Sequence, residues 1–440
     1  MTALSQDDKQ LYAKVFWRTV PFLFLCYVLA FLDRVNVGFA KLQMAEQLQF
    51  SDAVFGLGAG IFFLGYFIFE VPSNIILERV GARIWIARIM ITWGIISACT
   101  MFVESAWGFY LLRFLLGVAE AGFFPGIILY LTYWFPAANR ARMTGLFLTA
   151  VAISNVIGAP LSGAIMQYLD GSNGWAGWQW LFLVEGIPSA LVGLLVLAFL
   201  ANGPRDARWL TDSERTRIQQ ILEADALTRQ GPDGRHRLRD AFIDRRIWLL
   251  SFIYFCIIVG FYAINFWMPT LISEIGIDPR DYFLVGLLSM IPWGGAVIAM
   301  VLWGIHSDRT QERRWHTTIA LATATTGLTG LAFAGHDPYL SIICLTLVTS
   351  GLLSGITVFW SLPVQFLSGT AAAAGIAWIN SVGNLGGYVG PVLMGRIRMV
   401  SEDGMLVFSV LATVVALGAI SVPLLRQRAT PSAVVTESQP

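Results

Sequence analysis

The chain has 440 residues, of which 56% are hydrophobic and 13% are charged, with a formal net charge of +1 and a mean hydropathy of +0.66. A water-soluble protein carries about 25% charged residues, so this composition argues against a soluble protein and indicates a polytopic protein of the lipid bilayer. The small net charge gives no general attraction to nucleic acid, and we expect no nucleic-acid partner.

The chain begins with a short polar stretch, residues 1–14, and the apolar segment after it is too long for the hydrophobic region of a signal peptide. We interpret this segment as a retained first helix. About 20 residues cross the hydrocarbon core as a helix, and twelve windows of that size occur. They are 17–39, 54–77, 84–104, 108–135, 141–166, 178–201, 247–272, 282–305, 316–335, 338–361, 370–395 and 403–425.

A polar gap separates six of these windows from the other six, which predicts an all-α membrane protein of twelve transmembrane helices in two six-helix bundles. The predicted parts are an N-terminal bundle, a central cytoplasmic loop, a C-terminal bundle and a disordered tail, at residues 1–202, 203–246, 247–428 and 429–440. Within the loop, Thr211-Asp212-Ser213-Glu214 is typical of a helix cap, so part of the loop is expected to form a surface helix.

Basic residues concentrate in the loops on one side of the predicted membrane. They include Lys9, Lys14, Arg18, Arg79, Arg83, Arg140, Arg142, Arg309, Arg313, Arg314, Arg426 and Arg428. Positive loops face the cytoplasm, which places both termini and the central loop there. The exceptions on the other side are Lys41, Arg280, Arg396 and Arg398.

The two halves of the sequence repeat each other. Arg79 and Arg309 close similar acid-then-arginine turns 230 positions apart, and Pro160 and Pro391 end similar glycine-containing stretches 231 positions apart. Two landmarks at nearly one offset indicate duplicated halves, as in transporters that bind substrate between repeats. The repeat predicts a conformational latch formed by Glu78, Arg79, Arg83, Asp308 and Arg309; the alternative is that these charges only fix the topology.

Asp33 and Arg34 are adjacent opposite charges late in the first apolar segment. A charge at membrane depth costs about 2.5–3.5 kcal/mol on insertion scales, which favours an interpretation in which both side chains line a cavity. The alternative is a pair at the membrane edge whose charged ends reach the headgroups.

The fourth window carries Arg113 and Glu120, seven residues apart and therefore on one face of a helix. A buried glutamic acid can carry a proton, and an arginine can hold a carboxylate through two parallel hydrogen bonds. A static ion network between helices 1 and 4 is the alternative. The positions 230 residues after Asp33, Arg113 and Glu120 are uncharged, so proton coupling is predicted in the first half only. The second half is expected to contribute aromatic and amide groups: Tyr262, Asn265, Phe266, Trp360, Gln365 and Asn380.

No cofactor or metal site is predicted. The four cysteines lie in apolar stretches without CxxC spacing, and the sequence contains neither HExxH nor GxSxG. An enzyme is therefore not expected. A receptor is disfavoured by the small central loop and short tail, and an exporter of hydrophobic drugs by the arginines of the predicted cavity.

The sequence resembles the major facilitator superfamily and, more closely, its anion:cation symporter family, whose bacterial members include tartrate, phthalate, hydroxyphenylacetate, glucarate and galactonate carriers. The motifs that carry the resemblance are Asp33-Arg34-Val35-Asn36, Pro72-Ser73-Asn74, Gly81-Ala82-Arg83-Ile84-Trp85, Arg113 through Glu120 and Phe266-Trp267-Met268-Pro269. One departure is that Glu78 and Asn74 stand where the family usually has Asp and Gly in its first inter-helix motif.

The resemblance implies roles for individual residues. Asp33 and Glu120 would serve proton coupling, while Arg34 and Arg113 would deal with substrate charge or with the acidic pair. The further substrate contacts it implies are Tyr66, Asn380 and Trp360. Asn265, as an amide at membrane depth that needs a partner, and Asn36 complete the predicted substrate contacts.

Phe31 replaces a tyrosine that is frequent in the family, two positions before the aspartate. The lost hydroxyl shifts the expected substrate from polyhydroxylated sugar acids towards tartrate-like dicarboxylates or aromatic acids. The function expected is a monomeric, proton-coupled symporter that imports a small organic anion across a bacterial inner membrane. The alternative within the family is a sugar-acid symporter of the galactonate or glucarate type.

Overall fold

The computed structural model describes residues 6–229, 244–278, 280–335, 337–366, 369–401 and 404–425. Regular structure in these ranges is helical throughout, which confirms the all-α prediction. The α-helices are α1 Gln6–Gln47, α2 Asp52–Val80, α3 Ala82–Cys99, α4 Ala106–Glu120, α5 Phe123–Thr132, α6 Ala137–Tyr168, α7 Gly177–Phe199, α8 Asp212–Arg229, α9 Arg245–Ser273, α10 Tyr282–Thr310, α11 Arg314–Ala334, α12 Pro338–Phe359, α13 Ser361–Phe366, α14 Gly369–Arg398 and α15 Met405–Ser421.

Within the described residues, eleven helical segments are long and apolar enough to cross a membrane. They coincide with eleven of the twelve predicted windows, and α4 and α5 share one of them. The remaining window, residues 370–395, coincides with the 30-residue α14, which packs against α2 and α9. We refer to α1–α7 as the first half and to α9–α15 as the second half.

The helix cap predicted in the central loop is confirmed at the start of α8. The backbone N–H of Glu214 donates to Thr211 Oγ1 at 3.3 Å, and the backbone N–H of Thr211 donates to Glu214 Oε2 at 2.8 Å. Helix α1 extends well beyond a membrane-spanning length. Two ion pairs attach α8 to it. They join Lys14 to Glu214 and Asp8 to Arg217, each at 2.8 Å.

A glycine breaks the fourth membrane segment into α4 and α5. Gly122 has a φ of +81°, and a Cβ added there would lie 2.6 Å from Ser73 Oγ on α2. A side chain is therefore excluded by both backbone conformation and space. The break places Glu120 at the last residue of α4, deep inside the bundle.

The repeat predicted from the sequence corresponds to matched contacts between the halves. A Cβ added at Gly56 would lie 2.5 Å from the Pro391 carbonyl oxygen, and one added at Gly286 would lie 2.5 Å from the Ala159 carbonyl oxygen. Gly56 and Gly286 are 230 positions apart, the offset of the repeat. Backbone thus meets backbone at equivalent places, where α2 crosses α14 and where α10 crosses α6.

The bundle has two ends that differ in how the halves meet. The N-terminal face holds the start of α1 and the α2–α3 connection, and the opposite face holds the α1–α2 connection. At the N-terminal face a cavity separates the halves, with Tyr12 and Phe16 on one wall and Val301 and Ile305 on the other.

The cysteines of the described chain are unpaired thiols, and three of the four are buried.

Candidate functional site

A cavity of about 100 Å³ lies between the halves at mid-depth of the bundle. Both halves contribute polar groups to its wall. From the first half these are Tyr27, Arg34 and Tyr66, and from the second half Tyr254, Tyr262, Thr357, Trp360, Asn380 and Asn384. Four of the predicted substrate contacts, Arg34, Tyr66, Trp360 and Asn380, therefore lie together at one cavity.

Arg34 is the positive charge of this cavity, and its side chain is held from both halves. Nη1 donates to the Tyr262 hydroxyl at 2.8 Å, and Nη2 donates to Glu120 Oε1 in an ion pair. The guanidinium also lies over the Phe31 ring, 4.6 Å from its centroid. Arg34 is 8% exposed and Glu120 is 3% exposed, so the pair lies out of lipid and out of bulk water.

Asp33 points to a different set of partners, inside the first half. Its carboxylate accepts hydrogen bonds from Trp93 Nε1 at 2.9 Å, from Ser97 Oγ at 3.0 Å and from the Ser189 hydroxyl. Adjacent residues on a helix face directions about 100° apart, which separates Asp33 from the cavity that Arg34 lines.

Arg113 is buried behind the cavity wall. Its Nε donates to the Gly58 carbonyl oxygen at 3.3 Å, whereas its two terminal nitrogens make no hydrogen bond. The guanidinium lies 5.2 Å from the centroid of the Phe62 ring, whose residue also contacts Arg34. Arg113 and Glu120 lie two turns apart on one face of α4, but the hydrogen-bonded ion pair of Glu120 is with Arg34.

The predicted amide residues are distributed over several places. Asn380 donates to Glu70 Oε1 at 3.1 Å, and Asn265 donates to Asn155 Oδ1 at 3.1 Å, so each joins the second half to the first. Asn36 is fully buried inside the first half, where neither of its amide atoms makes a hydrogen bond. Neither Asn36 nor Asn265 lines the cavity.

At the opposite face, charged side chains join the two halves. Asp52 of α2 binds Lys41 Nζ of α1 at 2.9 Å and Arg398 Nε of α14 at 2.9 Å. Arg398 also pairs with Glu274, and the Trp267 ring lies between the two cations, 4.1 Å from Lys41 Nζ and 5.2 Å from the Arg398 guanidinium carbon. We call these five residues the opposite-face cluster, and it fastens the halves together at that end.

The residues predicted to form a latch lie at the N-terminal face. Glu78, Arg79, Asp308 and Arg309 are exposed there. Arg83 donates from Nε to the Leu197 carbonyl oxygen at 2.7 Å, and Asp308 pairs with Arg313 at 2.7 Å. Each of these contacts lies within one half, and the latch itself stays a prediction.

Sequence reasoning missed two buried carboxyl groups and the opposite-face cluster. Glu70 and Glu185 are 6% and 4% exposed in helices α2 and α7. Each is the single charged residue of a membrane-length apolar window. A charge at membrane depth was also the criterion that identified Asp33 and Glu120. Lys41 and Arg398 stood out in the sequence as exceptions to the distribution of positive loops, but no structural role was predicted from them.

Membrane-length helices in two repeated halves, with a polar cavity between them, define a membrane transporter. Residues 23–391 match the sequence profile of the Major Facilitator Superfamily, and the chain belongs to that family. It is therefore an integral membrane transporter rather than an enzyme.

Relatives named as transporters match most of the chain, and a solved structure shares its fold. The chain is 50% identical over 385 residues to a putative tartrate transporter of Agrobacterium vitis, covering 88% of this chain and 84% of that protein. It is 48% identical over 392 residues to the putative metabolite transport protein NicT of Pseudomonas putida, covering 89% of each. The xylose transporter XylE from E. coli, in a partially occluded inward open conformation, superimposes with a TM-score of 0.72 at 13% identity, covering 93% of this chain and 97% of that one.

Proposed function

We propose that the protein is a proton-coupled symporter that imports a small organic anion, with a tartrate-like dicarboxylate as the first candidate. The observation that carries the proposal is the position of Arg34. It lines the cavity between the halves while it contacts Glu120 of the first half and Tyr262 of the second. One guanidinium can thus respond to substrate, to a carboxyl group and to the contact between the halves.

The buried charges around the cavity argue for proton coupling. Two buried arginines stand against four buried carboxyl groups near the middle of the membrane segments: Arg34 and Arg113 against Asp33, Glu70, Glu120 and Glu185. With every group ionised the net charge would be −2, and an anion entering a medium of low dielectric would be repelled. Protons on the carboxyl groups remove that repulsion, so proton binding and anion binding favour each other.

The geometry suggests the order of events. A proton on Glu120 removes the charge that holds Arg34, and the guanidinium becomes available to a substrate carboxylate, which it can bind through two parallel hydrogen bonds. Tyr66 on one wall and Trp360 and Asn380 on the other then contact the rest of the substrate. Because the site spans both halves, a bound anion draws them together, and the access of the cavity alternates between the two faces.

The size of the cavity and the relatives support a small substrate. A volume of about 100 Å³ is well below the 300–1,000 Å³ of sites for drug-sized ligands, which favours a compact acid over a hydrophobic drug. Relatives named as tartrate transporters match most of the chain. By the distribution of basic loops, we assign the N-terminal face to the cytoplasm of a bacterial inner membrane, with the protein acting as a monomer.

Uptake by purified protein in liposomes tests the proposal. An inward proton gradient is expected to drive accumulation of radiolabelled tartrate, whereas a sodium gradient of equal size is not. Glu120→Gln is expected to abolish accumulation while counterflow exchange of tartrate continues, because the neutral amide mimics the protonated state. Glu104→Gln, at an exposed loop position, is the matched control. Uptake that follows sodium and ignores the proton gradient would refute the coupling.

A further inference from the structure

A second group of polar side chains lies inside the first half, away from the cavity. It consists of Asp33 and Asn36 on α1, Ser162 on α6, and Glu185 and Ser189 on α7, and we call it the inner seam. All five side chains are at most 4% exposed, and none of them lines the cavity.

The inner seam brings two carboxyl groups together. Glu185 and Ser189 are one turn apart on α7, and Asp33 and Asn36 are nearly one turn apart on α1, so each pair shares a helix face. The Ser189 hydroxyl donates to Asp33, which fixes the register of the two helices. Glu185 is then close enough to Asp33 for the two carboxyl groups to interact electrostatically.

Three buried polar atoms of the inner seam, one in Glu185 and two in Asn36, make no hydrogen bond. Ser162 Oγ donates to Glu185 Oε1 at 2.7 Å, whereas Glu185 Oε2 makes no hydrogen bond. Asn36 lies beside Glu185, and its Oδ1 and Nδ2 also make none. Buried polar atoms of this kind are rare because each loses its hydrogen bonds to water without replacement. A proton on Glu185 Oε2 would turn this unpaired acceptor into a donor.

No positive charge compensates the two carboxyl groups. Within the described ranges, no ion pair includes Asp33 or Glu185. Arg34 turns to Glu120 and Tyr262, and the charged residues of α3 turn elsewhere. Arg88 donates to the Ala119 carbonyl oxygen, and Arg83 to that of Leu197 near the end of α7. The groups that α6 and α3 present to the seam are neutral donors: Ser162, Trp93 and Ser97.

We propose that Asp33 and Glu185 form a proton-binding site that is separate from the anion-binding cavity, with one proton shared between the two carboxyl groups. Two buried carboxylates that repel each other and are held only by neutral donors cannot both stay ionised in a medium of low dielectric. One proton, bound to a carboxyl oxygen and released to water when the halves rock, relieves their repulsion. The inference rests on the proposed proton coupling and adds Glu185 to it.

The site predicts a change in proton stoichiometry. Glu120 contacts Arg34 directly and so couples its proton to the anion, whereas the inner seam carries a further proton that never meets the substrate. Glu185→Gln keeps the shape of the side chain and a carbonyl oxygen for Ser162, but the seam then has only one titratable group. That group, Asp33, retains its three hydrogen-bond donors and no longer has a second carboxyl group with which to share a proton.

The experiment measures the ratio of protons to tartrate from reversal potentials in proteoliposomes, for the wild type, Glu185→Gln, Asp33→Asn and the double variant. Each single variant is expected to lower the ratio by about one proton, and the double variant to lower it no further, because the proton is shared. Glu104→Gln, at an exposed loop position outside the seam, is expected to keep the wild-type ratio. Thermal unfolding of each purified variant shows whether it is folded.

The measured ratios distinguish failure of the inner-seam site from failure of the proposed function. A wild-type ratio in Glu185→Gln overturns the inner-seam site and leaves proton coupling at Glu120 intact. A double variant that loses two protons also overturns it, since the carboxyl groups would then titrate independently. If tartrate moves through the wild type without any proton, the proposed function fails together with the site.

Discussion

Arg34 and Tyr262 belong to different halves of the molecule, and a hydrogen bond of 2.8 Å from the guanidinium to the phenol oxygen joins them across the cavity. The same guanidinium pairs with Glu120. A ligand that competes for Arg34 therefore also acts on a contact between the halves. This arrangement links occupancy of the site to the relative position of the two bundles without a separate relay.

Arg34→Lys is expected to weaken tartrate binding by about 10- to 100-fold, since a hydrogen bond to a charged group contributes about 1.5–3 kcal/mol. Lysine keeps the charge, but it lacks the planar fork that reaches Glu120 and Tyr262 at once. Isothermal titration of the purified protein with tartrate measures the change. Arg113→Lys is the comparison, because Arg113 is equally buried but lies outside the cavity. A larger loss in Arg113→Lys would assign the substrate to Arg113 instead.

Phe31→Tyr is expected to shift substrate preference towards sugar acids. Phe31 lines the cavity beneath Arg34, and a hydroxyl there adds a hydrogen-bonding group that a polyhydroxylated acid can satisfy and a compact dicarboxylate can leave unpaired. Competition of galactonate with labelled tartrate uptake measures the preference. Phe63→Tyr, at another cavity ring, controls for polarity alone. An unchanged ratio of inhibition constants would show that position 31 does not select the substrate.

Asp52→Asn is expected to open the opposite face. Asp52 anchors Lys41 from the first half and Arg398 from the second. Its loss leaves the buried Lys41 without its carboxylate partner and leaves Arg398 paired only with Glu274. Electron paramagnetic resonance between spin labels at positions 46 and 278, both exposed at that face, is expected to show a larger population at long distance. Asp170→Asn is the control, because Asp170 binds Gln43 and Gly177 within the first half. Equal distance distributions in both variants would contradict a fastening role.

The attachment of α8 to α1 is expected to weaken in acid. The hydrogen bond from Lys14 lowers the pKa of Glu214 below its usual 4.5. A lowered pKa in the folded state means that the stabilisation is complete above pH 4.5 and is lost as the pH falls through the lowered value. Because the pair is exposed, the effect is about 0.2–1 kcal/mol.

Hydrogen exchange of the α8 amides, corrected for intrinsic rates, measures this attachment as a function of pH. Protection is expected to fall in acid in the wild type and to be lower and less dependent on pH in Glu214→Gln. Asp212→Asn is the control, since Asp212 pairs with Arg215 within α8 itself. The same pH dependence in Glu214→Gln as in the wild type would mean that another group controls the attachment.

The membrane segments were predictable because twenty consecutive apolar residues have few other uses. Their ends were not, since a helix continues into water wherever polar partners hold it. The first window began at residue 17, whereas α1 begins at Gln6, where Asp8 and Lys14 bind α8. The fourth window was predicted as one helix, but the helix breaks at Gly122, where the backbone lies close to Ser73 of α2. This contact comes from tertiary packing and cannot be predicted from the local sequence.

The charged residues of the site were found by their cost at membrane depth, but their partners were not. Spacing along α4 indicated that Arg113 and Glu120 share a face, whereas the rotation of α1 against α4 decides that Glu120 pairs with Arg34. A helix can turn about its axis without any change in sequence pattern, so pairing between helices is a property of the packed bundle. Glu70 and Glu185 met the same criterion as Glu120 and were missed because no neighbouring arginine in the sequence pointed to them.

The backbone crossings at Gly56 and Gly286 have a mechanical consequence. Where two carbonyl-bearing chains touch without intervening side chains, one helix can roll over the other without any rotamer having to change, so the crossing offers little internal friction. Equivalent crossings join the halves at two places, between α2 and α14 and between α10 and α6. The bundles can therefore tilt about these two contact points, and alanine at either glycine would force the crossing helices apart, because its Cβ would lie 2.5 Å from a backbone carbonyl oxygen.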